Sequence, residues 1–220
     1  MKDLTLLIGT CDSYSPLWDN FVTLCDRYWQ PDCKKIFVSE NNSKTYPDYD
    51  WCTPGNLPWS DRILYAVNNI ETKYTMFVLE DYYFTEIISN DEIEMYLAFM
   101  ESLNANKVML EYRCPHLRLV PYGIASNGLE ICKLAPNSKY LASVQPSIWN
   151  TSYLKSCLRP NWGPWEFEDS ASRLINGDTH ETYIFIRDKK PYWNAVRQGM
   201  RLSAGWEQLK LKEQLSDLNI

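Results

Sequence analysis

Apolar positions along the chain fall into two rhythms, continuous short runs and helical spacings, and these alternate. Leu4 to Gly9 is an unbroken apolar run apart from Thr5 and predicts a buried strand that ends in the polar stretch TCDSYS. From Leu17 to Tyr28 the apolar residues Leu17, Phe21, Leu24, Cys25 and Tyr28 share one helical face, and Pro31 stops the helix. Lys35 to Ser39 predicts a second strand that runs into Glu40. Strand, helix, strand in this order is the pattern of a βαβ unit and a parallel sheet. Residues 41–58, rich in Asn, Pro, Asp and Tyr, predict a long loop. Ser60 is the expected N-cap of a helix through Ile70, and Thr75 to Leu79 the strand that follows. Further along, the pattern predicts a helix from Asp91 to Leu103 and a strand from Lys107 to Tyr112. Short antiparallel strands follow in LRLV and GLEICKLA, then a turn and helix between Gln145 and Leu158. A helix is expected to start near Glu166 to Asp169, a last strand to cover Thr182 to Ile186, and an amphipathic helix to span 203–218. The apolar stripe of that last helix is Trp206, Leu209, Leu215 and Leu218, with Ser203 as its cap. Residues 203–218 carry nearly balanced charge, unlike a basic membrane-surface helix, and are expected to pack on their own domain or a second subunit.

Composition narrows the class. At 220 residues, 45% hydrophobic and 14% aromatic, the chain suits one domain with a sizeable core. A net charge of −6 argues against nucleic acid as the main partner, while leaving room for a local basic pocket. The cysteines at 11, 25, 33, 52, 114, 132 and 157 are odd in number and never spaced C-x-x-C, which reads as free thiols in a cytoplasmic protein. The N-terminal apolar run reads as a first strand rather than a signal peptide, and no stretch approaches the ~18 apolar residues of a membrane span.

Chemistry enters at the strand ends. Three predicted strands finish in carboxylates, at Asp12, at Glu40 and at the adjacent pair Glu80 and Asp81. In open α/β sheets ligands bind outside the carboxyl ends of the strands. Buried unpaired carboxylates are costly, so such a cluster wants a cation or hydrogen-bond donors, and hard oxygen ligands suit Mg2+ or Mn2+. The plainer alternative is that Asp81 caps a turn and Glu80 is solvated. A second acidic group, Glu166, Glu168 and Asp169, sits among aromatic residues in NWGPWEFEDS. An aromatic surround raises a carboxylate's pKa and suits a general base, whereas a helix N-terminus acts the other way; three acids in a first turn are also ordinary capping chemistry. Trp162 and Trp165 have the shape of sugar-stacking platforms, or of core residues. The stretch IRDKKPYWNAVRQGMR is basic and contains Arg187, Lys189, Lys190, Arg197 and Arg201, a candidate clamp for a leaving diphosphate or a solvated face.

The stretch WSDRILYAVNNIETKYTMFVLEDYYF resembles the part of GT-A glycosyltransferases in which an Arg-bearing helix leads into the strand carrying their acidic metal motif. It is similar to a group of bacterial capsule and surface-polysaccharide glycosyltransferases. Their segments match here as Trp59-Ser60-x-Arg62, Leu79-Glu80-Asp81-Tyr82-Tyr83-Phe84, Gln145 to Trp149, and Pro164-Trp165-Glu166-Phe167-Glu168. The acidic motif departs from the usual pair, because Tyr82 stands where a second spaced acid would be.

The resemblance implies a single GT-A-like, Rossmann-like α/β domain with a mostly parallel central sheet, flanking helices and a small antiparallel element. Residues 1–112 would form its nucleotide-sugar half, 113–202 its acceptor half, and 203–220 a terminal helix. It implies an enzyme that moves a sugar, with inversion, from a nucleotide-sugar donor to a glycan or lipid-linked oligosaccharide in surface-polysaccharide biosynthesis. Thr10, Asp12, Glu40, Trp59, Arg62, Glu80, Asp81 and Arg197 would hold the donor; Tyr83, Gln145, Trp149, Trp162 and Trp165 would face the acceptor. Glu168 would be the base, with Glu166 and Asp169 as rivals, and Mn2+ or Mg2+ would sit on Asp81 and Glu80 with His180 as a late ligand. Such an enzyme works in the cytoplasm, free or at the inner face of the cytoplasmic membrane; peripheral membrane association and a homodimer both stay open. Two other functions fit the residues. A glycoside hydrolase also sets two carboxylates about a sugar but needs no nucleotide. A non-catalytic carbohydrate-binding module would explain the Trp and Tyr content and would survive loss of the acids.

Overall fold

The computed structural model describes residues 1–110, 117–176, 181–197, 200–201 and 206–216. The strands in chain order are β1 (Leu4–Gly9), β2 (Lys34–Val38), β3 (Tyr49–Cys52), β4 (Tyr74–Leu79), β5 (Tyr82–Phe84), β6 (Lys107–Met109) and β7 (Leu119–Ile124). They continue with β8 (Glu130–Leu134), β9 (Ser147–Asn150), β10 (Thr182–Ile186), β11 (Tyr192–Asn194), β12 (Val196–Arg197) and β13 (Met200–Arg201). The helices are α1 (Trp18–Tyr28), α2 (Trp59–Asn68), α3 (Asn90–Leu103), α4 (Thr151–Cys157), α5 (Pro164–Glu166), α6 (Ser172–Asn176) and α7 (Trp206–Glu213).

Nine strands form one sheet in the order β3-β2-β1-β4-β9-β6-β10-β8-β7. β3, β2, β1 and β4 are mutually parallel, and β6 and β10 are parallel to each other. β9 enters between β4 and β6 against both. The expected α/β architecture is therefore met: a large, mostly parallel sheet with helices about it and a small antiparallel pair, β5 with β11. β1 is buried along its whole length, as a strand covered on both faces must be, which is why its apolar run is continuous. β7 is the exposed edge and carries Pro121, a residue an edge strand tolerates because no neighbour needs its missing N–H.

Gly9 ends β1 where α2 and β4 press closest. A Cβ there would meet Leu79 Cδ2 at 3.1 Å, Ile63 Cδ1 at 3.2 Å and Phe77 Cε2 at 3.3 Å. Gly9→Ala is expected to cost about 1–3 kcal/mol through overpacking, read from urea denaturation midpoints.

Several expectations are corrected. The predicted loop 41–58 contains β3, whose Tyr49 and Trp51 pack on Phe37 of β2. The predicted turn before α4 contains β9, with Ile148 and Trp149 in the core. Ser60 does not cap α2. That helix begins after Pro58 without a side-chain cap, and Ser60 is turned to the 161–162 segment instead. The helix expected near Glu166 begins at Pro164 and runs α5, a π-helical segment Phe167–Ala171, then α6. The last helix is described from Trp206 to Glu213 and docks on its own domain. Its Glu213 is buried and accepts from Tyr28 Oη at 2.7 Å and from Arg27, while Trp206 packs on Tyr83 and Trp193. Ser203 and Leu218, assigned to that helix from the pattern, lie outside the described residues, as do residues 111–112 of the strand expected from Lys107 to Tyr112. None of the described cysteines is in a disulfide.

Candidate active site

The C-terminal ends of β1, β2 and β4 bring Thr10, Glu40, Glu80 and Asp81 to one edge of the sheet, because parallel strands point their exits the same way. The loop after β1 forms a short 3-10 helix, Asp12–Leu17, that returns the chain to α1. Trp18 Nε1 donates to Thr10 Oγ1 at 2.8 Å and locks that return. Asp12 is turned to the backbone beyond β2. Its carboxylate accepts from the backbone N–H groups of Asn41 at 3.2 Å and Asn42 at 3.1 Å, while its own N–H donates to Glu40 Oε2 at 2.6 Å. Partial burial would raise the Asp12 carboxyl, but the N–H groups of Asn42 and Asn41 outweigh it and hold it below the ordinary range. The exits of β1 and β2 are thus clasped to each other.

Arg62, in the first turn of α2, joins the clasp. It is 5% exposed, pairs with Glu40 Oε1 at 2.6 Å, and donates to the carbonyls of Leu57 at 2.8 Å and Thr10 at 3.3 Å. A guanidinium suits this position because several fixed acceptors surround it. On the same turn Ser60 exchanges bonds with Trp162: Ser60 N–H donates to Trp162 O at 3.0 Å, and Trp162 N–H donates to Ser60 Oγ at 2.8 Å. Asn161 N–H donates to Asp61 Oδ2 at 2.7 Å, and the Trp59 ring lies 5.6 Å from that of Phe167. One turn of α2 therefore braces both acidic groups singled out by sequence, the strand-end cluster through Arg62 and the PWEFED segment through Trp59, Ser60 and Asp61.

The strand pair itself is unusual. β4 stops at Leu79, Glu80 and Asp81 make the corner, and β5 restarts at Tyr82. Glu80 is 3% exposed. Burial, and next the charge of Asp81, push the Glu80 carboxyl well above the ordinary carboxylate range. Burial pushes Asp81 up to about 7, and its Oδ1 is buried without a hydrogen-bond partner. Hydrogen bonds from the backbone, and for Glu80 from the Thr10 side chain, oppose this rise without cancelling it, so the pair favours a shared proton or a cation over two bare charges. No cluster of three or more acidic, His or Cys groups poised for a metal occurs among the described residues, and His180 lies outside them. The residues present do fit Mg2+ or Mn2+ of the kind held by one or two carboxylates with substrate oxygens and water. Tyr14, which sequence reading did not single out, stands beside this pair. Its hydroxyl is raised first by burial and then by the charges of Cys11, Glu80 and Asp81.

The three acids after Pro164 separate into three roles. Glu166 is exposed and reaches back to accept the Gly163 N–H at 2.5 Å, closing the first turn. Asp169 is exposed and pairs with Arg173 one turn on. Glu168 is half-buried, and its Oε1 accepts from Val144 N–H at 3.0 Å and Ser143 Oγ at 3.2 Å. Burial raises its carboxyl, opposed by those two donors and by the ammonium of Lys107. Glu168 and Asp169 open on a cleft of about 470 Å³ whose other walls include Tyr140, Trp165, Ser172 and Arg173. Trp165 is 66% exposed there. The π-helical segment turns Glu168 toward Val144; such segments recur at functional sites.

Not every expected residue reaches a cleft. Trp149 and Tyr83 are fully buried, so the expectation that they face an acceptor is corrected: both are core. Trp149 packs on Phe167 and Tyr153, beneath the Glu168 helix, and Tyr83 donates to Leu17 O at 3.3 Å. Gln145 is half-buried beside Tyr192. Trp162 is half-buried and engaged through its backbone with Ser60. The described side chains of the basic stretch are divided between sites. Arg187 pairs with Glu92 in a separate cleft between α3 and β10, and Lys190 lies over the Tyr192 ring. Arg197 is on β12, and its side chain is outside the description. Sequence reading missed Lys107, Ser143 and Tyr140; the last has φ of 63°, a strained value for a bulky residue, at the rim of the Glu168 cleft.

No protein-family model matches the chain, and no curated protein matches it in sequence. Solved structures do share its fold. S. aureus TarS 1-349 in complex with UDP-GlcNAc aligns at TM-score 0.59 and 16% identity, over 94% of this chain and 62% of that one. The same protein in complex with UDP aligns at 0.55 and 15%, over 87% and 60%. The chain thus spans less than two thirds of the TarS structures. A 2-C-methyl-D-erythritol 4-phosphate cytidylyltransferase from Thermus thermophilus aligns at 0.52 and 9%, over 95% and 96%. These likenesses show the fold, a GT-A-like α/β domain.

Proposed function

We propose that the protein is a nucleotide-sugar-dependent glycosyltransferase that adds a sugar to a glycan or lipid-linked acceptor of surface polysaccharide, with inversion. The observation that carries this reading is the corner of β4: two buried carboxyls, one with an unpartnered oxygen, at the exit edge of the parallel strands. The likeness to TarS bound to UDP-GlcNAc supports a nucleotide sugar as the ligand of that edge. A diphosphate approaching Glu40, Glu80 and Asp81 meets more negative than positive charge, since Arg62 is already paired. A divalent cation on Asp81 and Glu80 reconciles the two, and would supply charge to the departing diphosphate. Glu168, in its aromatic cleft, takes the proton of the attacking hydroxyl, and Trp165 and Tyr140 offer faces on which a pyranose stacks. No helix among the described residues is long and apolar enough to cross a membrane. The cytoplasmic location is part of this same proposal.

The likeness to a cytidylyltransferase raises nucleotidyl transfer as a second reading. It is disfavoured because residues 10–17, after β1, contain neither Gly nor a cation with which to cradle a triphosphate.

Calorimetry with nucleoside diphosphates tests the reading. Binding is expected at micromolar to millimolar affinity, stronger with Mn2+ or Mg2+ and weakened by EDTA. At ~100 times the dissociation constant the ligand adds about 2.7 kcal/mol to unfolding stability. No binding of any nucleoside diphosphate with metal present overturns the transferase. Binding indifferent to EDTA removes the metal and keeps the transferase.

A further inference from the structure

Lys107 is the first residue of β6 and is fully buried. A lysine in such a place normally reaches an acid directly or turns to solvent; this one does neither. Its ammonium donates to Leu141 O at 3.2 Å and lies 4.4 Å from the centre of the Trp149 ring. Two ionisable side chains lie near it, Glu168 from the π-helical segment and Cys157 from α4. The Leu141 carbonyl belongs to the same short segment as Ser143 and Val144, whose hydroxyl and N–H hold Glu168. Trp149, under the ammonium, also supports Phe167, the neighbour of Glu168. The lysine and the carboxylate are therefore fixed by one loop segment and one ring, although no direct ion pair joins them.

We propose that Lys107 is a positioning residue that keeps Glu168 ionised, acting as its buried counter-charge through the 141–144 segment. The proposal rests on the reading of Glu168 as the base, and its test separates the two. A buried ammonium is expensive: burial pushes Lys107 down to about 7, against the opposing pull of Glu168. A lysine whose folded value lies below its unfolded one lowers stability as pH falls through the range between them. A side chain kept for packing alone would not carry that cost, since Met fills similar space without it. Retaining the charge makes sense where it serves the carboxylate, which would otherwise be protonated more readily in its half-buried site.

The test compares the wild type with Lys107→Met. In protein labelled with 13C at the Glu carboxyls and Lys side chains, the Glu168 signal of the wild type should show a second inflection as Lys107 loses its proton. In Lys107→Met that inflection should vanish and the Glu168 midpoint should move to higher pH. Sugar transfer by the variant should fall by about tenfold or more on the acidic limb of its pH profile and recover at alkaline pH, as expected for a carboxylate losing a nearby opposite charge. The variant should also resist urea better than the wild type at pH 7. A Glu168 signal that ignores Lys107 in the wild type, a measurement that needs no folded variant, overturns the proposal. So does an unshifted acidic limb. Coupled titration in a protein that transfers no sugar under any condition keeps Lys107 as the counter-charge and removes the base assignment instead.

Discussion

Glu168→Gln lowers sugar-transfer turnover about 10²–10⁴-fold while nucleotide affinity stays within about twofold of the wild type. The glutamine keeps the size of the side chain, and its carbonyl can still accept from Val144 N–H and Ser143 Oγ. It cannot take a proton. The loss therefore falls on the chemical step and not on donor binding, whose groups lie at the exits of β1, β2 and β4. Burial raises the Glu168 carboxyl, so wild-type turnover should climb with pH on its acidic side, as the ionised form is the active one. The variant should lose that climb. Glu166→Gln and Asp169→Asn serve as references, because their carboxylates close a helix turn and pair with Arg173. Steady-state kinetics with separate kcat and KM settles the assignment. If Asp169→Asn carries the loss and Glu168→Gln does not, the base is the exposed neighbour and the half-buried acid is structural.

The sequence made the first half of the fold legible because its elements are the kind that pattern alone defines. β1 is apolar throughout, α1 has a single apolar face, and both ends are marked by polar residues or Pro31. β3 and β9 were not legible. Each has four residues, too few to show a period, and β9 is followed at once by a helix whose cap, Asn150, is the strand's own last residue. Their pairing is decided by distant partners, Phe37 for β3 and the flanks of β4 and β6 for β9. The acids after β4 stood out in the sequence because a buried strand ran into them. Their coupling did not, since it depends on how the corner between β4 and β5 buries both side chains, which a strand end in the pattern does not reveal. Ser60 and Trp149 were misread for one reason. Both residue types are common in two settings, capping or loop-bracing for Ser, sugar-stacking or core for Trp, and only the neighbours decide. Lys107 carried no signal at all, because a lysine opening a strand ordinarily marks an exposed end.

Asp81→Asn should make the folded protein more stable above neutral pH and, at the same time, weaken donor binding. The sign follows from the direction of the shift. Asp81 is pushed up to about 7 by burial, above its value in the unfolded chain. Between those two values the folded state holds a proton that the unfolded state has released, so stability falls as pH rises through the window and stays low above it. Asparagine has no such proton to lose. Its advantage over the wild type should be absent near pH 3, grow from about pH 4 to pH 7, and level off at on the order of 4 kcal/mol. Glu80 complicates only the size, because the Asp81 charge raises it, and the neutral amide at 81 relieves it. Added Mn2+ or Mg2+ should close the gap from the other side, by stabilising the wild type and not the variant. Urea denaturation of both proteins from pH 4 to pH 9, with and without metal, measures all three effects. A variant less stable than the wild type at pH 8 without metal would mean that the Asp81 carboxylate already has partners in the folded chain, and that the corner of β4 is a structural turn with no vacancy for a cation or a diphosphate.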